Sequence, residues 1–137
     1  MNDLLVTEHR DLIEDLVAKH VDACVEFVKS KDDINGKLGQ SLWGSATEKP
    51  LIQFPEQITG QEIEDSLMGL AVRGQVTENP QLVRHAGEIN SPLEYLKHLV
   101  LHEVAHIKND WHQDRETDCD LWVYDQMHTR EESKNRT

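Results

Sequence analysis

The stretch Ser91-Pro92-Leu93-Glu94-Tyr95-Leu96-Lys97-His98-Leu99-Val100-Leu101-His102-Glu103-Val104-Ala105-His106-Ile107-Lys108-Asn109 is the most legible part of the chain. It opens as a helix should, with Ser at the N-cap, Pro at the first helical position and Glu at the capping-box position. Leu96, Leu99, Val100, Val104 and Ile107 then recur at three- and four-residue steps, the period of an amphipathic helix. Asn109 suits a left-handed stop at the far end. Apolar neighbours on both sides set His102 to His106 against a core, where an unpartnered polar group is costly.

Histidines at i and i+4 on a helix point the same way, one turn apart, so His102 and His106 can both reach one metal ion. Glu103 lies about 100° around the helix, beside such a metal but not on it. This is the HExxH arrangement, in which a zinc ion polarises a water molecule and the glutamate takes its proton. A zinc site with an open position needs a third protein ligand. Downstream the chain turns through Asp110 to Gln113, and a further helix starts near Asp114, carrying Leu121, Trp122, Val123, Tyr124 and Met127. With a rise of about 1.5 Å per residue, an antiparallel return sets Glu116 level with His106. Asp120, one turn later, comes level with His102. Glu116 can then close the site, and Asp120 can accept the free ring N–H of His102 and fix its tautomer. His112 is the competing third ligand, since Asn109 can adopt the left-handed turn that would bring it back. An oxyanion donor is also expected near the metal, with His112, Tyr124 and His85 as the residues within reach.

His102-Glu103-x-x-His106 followed by Glu116-x-x-x-Asp120 resembles the gluzincin metallopeptidases, closest in style to the minigluzincins and the ImmA/IrrE-like peptidases. The resemblance implies zinc ligands His102, His106 and Glu116, general base Glu103, and supporting Asp120. It also implies an upstream sheet whose edge strand holds a peptide or protein substrate in extended form, for which Leu51-Ile52-Gln53-Phe54 is the expected strand. The His102 to His112 spacing also resembles that of the metzincins, with Asn109 where glycine is usual. That family adds a Met-containing turn, whereas Met127 falls in apparent helix, and Asp120 would be left idle. The implied activity is zinc-dependent peptide hydrolysis. The alternative is a non-catalytic metal-binding regulatory or interaction module on the same scaffold.

Elsewhere, Leu12, Ile13, Leu16, Val17, Val21, Cys24, Phe27 and Val28 predict a helix from about Thr7 to Lys29. Asp32 to Gln40 reads as turn and loop around Asn35-Gly36. Leu42 to Ala46 reads as a short strand. Leu51 to Phe54 reads as an edge strand because prolines bound it on both sides. Thr59 to Val72 predicts another helix. A strand around Gln75-Val76-Thr77 and a helical turn from Pro80 to His85 are expected to follow. The expected fold is α+β: a small zincin-like domain over residues 1–128, mostly helical with a small sheet packed on the HExxH helix. Residues 129–137 read as a flexible polar tail, lacking apolar periodicity.

The 137 residues fit one domain. With 26 acidic against 14 basic side chains, the net charge of −12 argues against nucleic acid and against an anionic membrane surface. Aromatics at 5% argue against a base-stacking platform. The eight histidines are a high count, and His is the commonest metal ligand. Met1 to Glu8 has neither a basic cluster nor a long apolar stretch, and the two cysteines, Cys24 and Cys119, are isolated. Both features lead to the expectation of a reducing, cytoplasmic setting. The substrate and the oligomeric state are left open by the sequence.

Overall fold

A computed structural model describes residues 1–44 and 48–135, with side chains as far as His128. The architecture is α+β, with five helices and two small sheets among the described residues. The helices are α1 (Arg10–Ala18), α2 (Gly60–Val76), α3 (Pro80–Glu88), α4 (Pro92–Lys108) and α5 (Glu116–Asn135). The strands are β1 (Leu4–Leu5), β2 (Cys24–Val28), β3 (Gln40–Leu42), β4 (Leu51–Pro55) and β5 (Gln57–Ile58).

Helix α4 runs through the middle of the molecule. Ser91 caps it, its hydroxyl accepting from the Glu94 N–H at 3.2 Å. Glu94 completes only part of the expected box, since its carboxylate accepts from Asn90 N–H, at 3.3 Å, rather than from Ser91. From His98 to His106 every residue of α4 is buried. A helix buried all round must satisfy its polar side chains internally. That condition holds, for among the described residues every buried side-chain nitrogen and oxygen has a hydrogen-bond partner.

The three-stranded sheet has the order β2-β4-β3, with β2 parallel and β3 antiparallel to β4. Ile52 and Phe54 of β4 are fully buried in the same core as Leu96, Val100 and Val104 of α4 and Ile13 and Val17 of α1. On the opposite side of the sheet, Gln53 links all three strands. It donates to Glu26 at 2.8 Å and accepts from Gln40 at 3.1 Å. The small sheet thus lies on the HExxH helix, with β3 the strand that touches it most closely.

Two expectations are corrected here. The helix predicted to Lys29 ends at Ala18, and Cys24–Val28 forms strand β2. A run this short is compatible with both periods, and the alternation Val25, Glu26, Phe27 is the strand signal that the helical steps obscured. Leu51 to Phe54 is the central strand, not an edge. Pro50 lies outside the strand, and Pro55 closes it opposite Val28. A proline at the end of a strand removes no interior ladder bond, so the flanking prolines do not force β4 to the edge.

Smaller differences follow the same logic. The strand expected at Leu42 to Ala46 is displaced to Gln40–Leu42, and residues 45–47 lie outside the described residues. Thr59 and Glu62 form a full capping box, and α2 then continues to Val76, absorbing the strand expected there. The left-handed residue after α4 is Asp110, with φ 53°, rather than Asn109. Both cysteines are free, Cys24 exposed and Cys119 buried. The backbone of α5 continues as helix to Asn135, across most of the stretch read as a tail, and residues 136 and 137 lie outside the described residues. Among the described residues no helix is long and apolar enough to cross a membrane.

Candidate metal centre

The α4–α5 hairpin builds the centre. After Lys108 the chain reverses at Asp110, and the Trp111 N–H returns to the His106 carbonyl at 2.9 Å. Helix α5 then starts at Glu116, level with His106. The Glu116 carboxylate spans both histidines, with Oε1 2.8 Å from His106 Nε2 and Oε2 2.9 Å from His102 Nε2. One turn on, Asp120 Oδ1 lies 2.8 Å from His102 Nδ1. Asp120 is almost fully buried and is also paired with Arg73 of α2. His106 Nδ1 lies 2.6 Å from the Trp111 carbonyl oxygen.

These contacts determine the tautomers. A carbonyl oxygen and a carboxylate only accept, so His106 and His102 both donate from Nδ1. In neutral form, each ring then aims an Nε2 lone pair at a carboxylate oxygen. Lone pairs facing lone pairs repel unless a proton or a cation stands between them. Without a cation, protons fill that role. Burial opposes charge on His102, yet its hydrogen bonds to Asp120 and Glu116 outweigh burial and lift its pKa from 6.5 to about 10. His106 is raised in the same way, burial being outweighed by Glu116 and the Trp111 carbonyl. Glu116 is held below the usual carboxylate range, since its bonds to the two histidines overcome the effect of burial.

The donor set fits a metal ion. Nitrogen or oxygen atoms of His102, His106 and Glu116 lie within 4.8 Å of one another. Two imidazoles and a carboxylate suit zinc, and the Nδ1 contacts to Asp120 and to a backbone carbonyl are the outer hydrogen bonds that orient such ligands.

The centre opens on a cavity of about 590 Å³ between α4, α2 and β3. Glu103 lines it on the β3 side. Ser41 Oγ lies 2.9 Å from Glu103 Oε1. A Cβ on Gly39 would come within 3.1 Å of the Glu103 carboxylate, so the backbone just before β3 approaches Glu103 with no side chain between them. His112 is not one of the converging trio. It lies at the cavity wall, stacked on Trp43 with ring centroids 4.8 Å apart. Tyr124 and His85 do not line this cavity. Tyr124 stacks on His128 at 4.0 Å and meets His85 edge-on, so neither stands where an oxyanion donor was expected.

Four contributors were missed by the sequence reading: Ser41, Gly39, Arg73 and Trp43. Only Gly39-Gln40-Ser41, a small-residue approach to a strand, carried any local signal. Arg73 meets Asp120 across 47 residues of chain, and Ser41 meets Glu103 across 62. Comparison of the chain with family models, with curated proteins and with solved structures returns no match.

Proposed function

We propose that this protein is a zinc-dependent peptidase of the gluzincin type. The observation that carries the reading is the convergence of His102 Nε2, His106 Nε2 and the Glu116 carboxylate beside a cavity that Glu103 also lines. His102, His106 and Glu116 would hold the ion. Three protein ligands leave a coordination position free, as catalytic rather than structural zinc sites do. His112, stacked on Trp43 and absent from the trio, supports an open site. When bound, the metal would supply Lewis acidity toward a water molecule and a carbonyl oxygen.

The chain supplies the remaining chemistry. Glu103, oriented by Ser41, accepts a proton from the attacking water and passes it to the leaving amine. Asp120 keeps the His102 ring in the tautomer that presents Nε2. Among the described residues strand β3 has β4 on one side only, and its Gln40 and Ser41, with Gly39 just before it, line the cavity. Its free edge suits an extended peptide, which would pair with it as an added strand. His112, on the cavity wall, is the histidine we assign as donor to a developing oxyanion.

The test is zinc content and peptide-library cleavage for the wild type and for Glu103→Gln. The expected result is one zinc at the trio in both proteins and cleavage only in the wild type. A wild type without zinc at the trio would overturn the reading. Zinc at the trio with no Glu103-dependent cleavage would leave a metal-binding module.

A further inference from the structure

A second group of ligand-type side chains gathers where α3 meets α5. His85 and Glu88 stand three residues apart on α3 and so share a face. With His128 of α5 they bring one ligand atom each within 4.8 Å of the others. His128 Nε2 lies 3.4 Å from Glu88 Oε2, and the His85 and His128 ring centroids are 5.5 Å apart. Tyr124 holds both rings, stacked on His128 at 4.0 Å and edge-on to His85 at 5.9 Å.

The protons of the buried rings behind this group can be assigned. His98 Nε2 faces Asp120 Oδ1 at 3.9 Å, too long for a hydrogen bond but close enough for the carboxylate to orient the ring dipole. That orientation matches a His98 proton on Nε2, which leaves Nδ1 to accept. His85 Nε2 lies 3.1 Å from that Nδ1, so His85 donates from Nε2. In that tautomer His85 Nδ1 carries the lone pair that can bind a cation. A buried imidazole held in one tautomer by an outer hydrogen bond is what metal-ligating histidines show.

We propose that His85, Glu88 and His128 form a second site for a divalent cation of the zinc class, separate from the trio at Glu116. Two imidazole nitrogens and one carboxylate oxygen are the borderline donor set that prefers zinc over calcium or magnesium. Glu88 supplies the negative charge from a position still 57% exposed, so its desolvation cost is small and water can complete the coordination. Among the described side chains no further carboxylate joins the group, and the proposal is for a binding site. The inference stands on its own residues and does not depend on the peptidase reading.

The experiment is a zinc titration of the metal-stripped full chain by calorimetry, with cobalt(II) absorption as the coordination readout. Three variants accompany the wild type: Glu116→Gln, the pair Glu88→Gln with His128→Gln, and all three changes together. Thermal melts confirm that each is folded, since Glu88 and His128 are both accessible at the surface. Two equivalents in the wild type, one in Glu116→Gln, one in the paired variant and none in the combined variant are expected. A paired variant that binds as many equivalents as the wild type would overturn the second site. A single equivalent in the wild type that survives Glu116→Gln but not the paired change would support the second site and remove the first.

Discussion

The Ser41 hydroxyl lies 2.9 Å from the Glu103 backbone carbonyl and 2.9 Å from the Glu103 carboxylate. It has one proton and so donates to one of them at a time. This side chain ties β3 to α4 and aims the carboxylate. Ser41→Ala should lower turnover by about tenfold, a fraction of the ~100- to 10,000-fold that a positioned base contributes. Stability should fall by about 1 kcal/mol, and zinc affinity should not change. Peptide turnover beside a zinc titration measures this, and unchanged turnover would mean that Ser41 does not aim the base.

Gly39 offers a steric test of the same contact. Its backbone is not left-handed, so alanine is conformationally acceptable there. The added Cβ would meet Glu103 Cγ and Oε2 at 3.1 Å. The flexible glutamate should yield by a few tenths of an ångström, away from its productive position. Gly39→Ala should therefore reduce turnover with a small change in melting temperature and no change in bound zinc. A variant as active as the wild type would show that Glu103 has slack.

Asp120 accepts from His102 and is paired with Arg73. Asp120→Asn keeps the volume but removes the charge and weakens the hold on the ring. Loss of such an outer carboxylate commonly costs roughly 10- to 100-fold in metal affinity. The variant is expected to bind zinc within that range of weakening, measured by competition with a chromophoric chelator. Affinity equal to that of the wild type would assign Asp120 to the Arg73 pair alone.

The stability of the metal-free protein should peak near pH 6.5. Burial holds His98 down at about pKa 3 and also lowers His85. Below pH 6.5 the unfolded chain takes up protons that these rings refuse, so stability falls as the pH falls. His102, at about 10, and His106 are raised. Their contribution is complete below 6.5 and is lost as the pH rises through their folded values. Zinc displaces those two protons, so the alkaline decline should vanish when zinc saturates the protein, and affinity should increase with pH. Urea midpoints from pH 5 to 9, with chelator and with zinc, test both arms. A decline above pH 6.5 that zinc leaves unchanged would contradict the assignment.

The centre was legible where its geometry is local. Ser91 to Lys108 carries its own start signal and period, and four-residue spacing puts His102 and His106 on one face. A short hairpin and a constant rise per residue were enough to bring Glu116 to both histidines and Asp120 to His102. The backbone hydrogen bond of His106 to Trp111 belongs to the same turn. These relations depend on neighbours within about twenty residues, and helix geometry fixes them.

Only the tertiary structure decided the surroundings. Cys24 to Val28 became a strand because β4 needed a partner on that side, which a five-residue apolar run cannot announce. The edge position expected of β4 belongs instead to β3 and β2, because edge position is a property of the whole sheet's pairing. Ser41, Gly39 and Arg73 reach the centre from distant segments, and His85 meets His128 only where α3 packs on α5. Periodicity and capping are short-range and leave a mark in the sequence, whereas the pairing of strands and the meeting of helices depend on which distant surfaces bury each other.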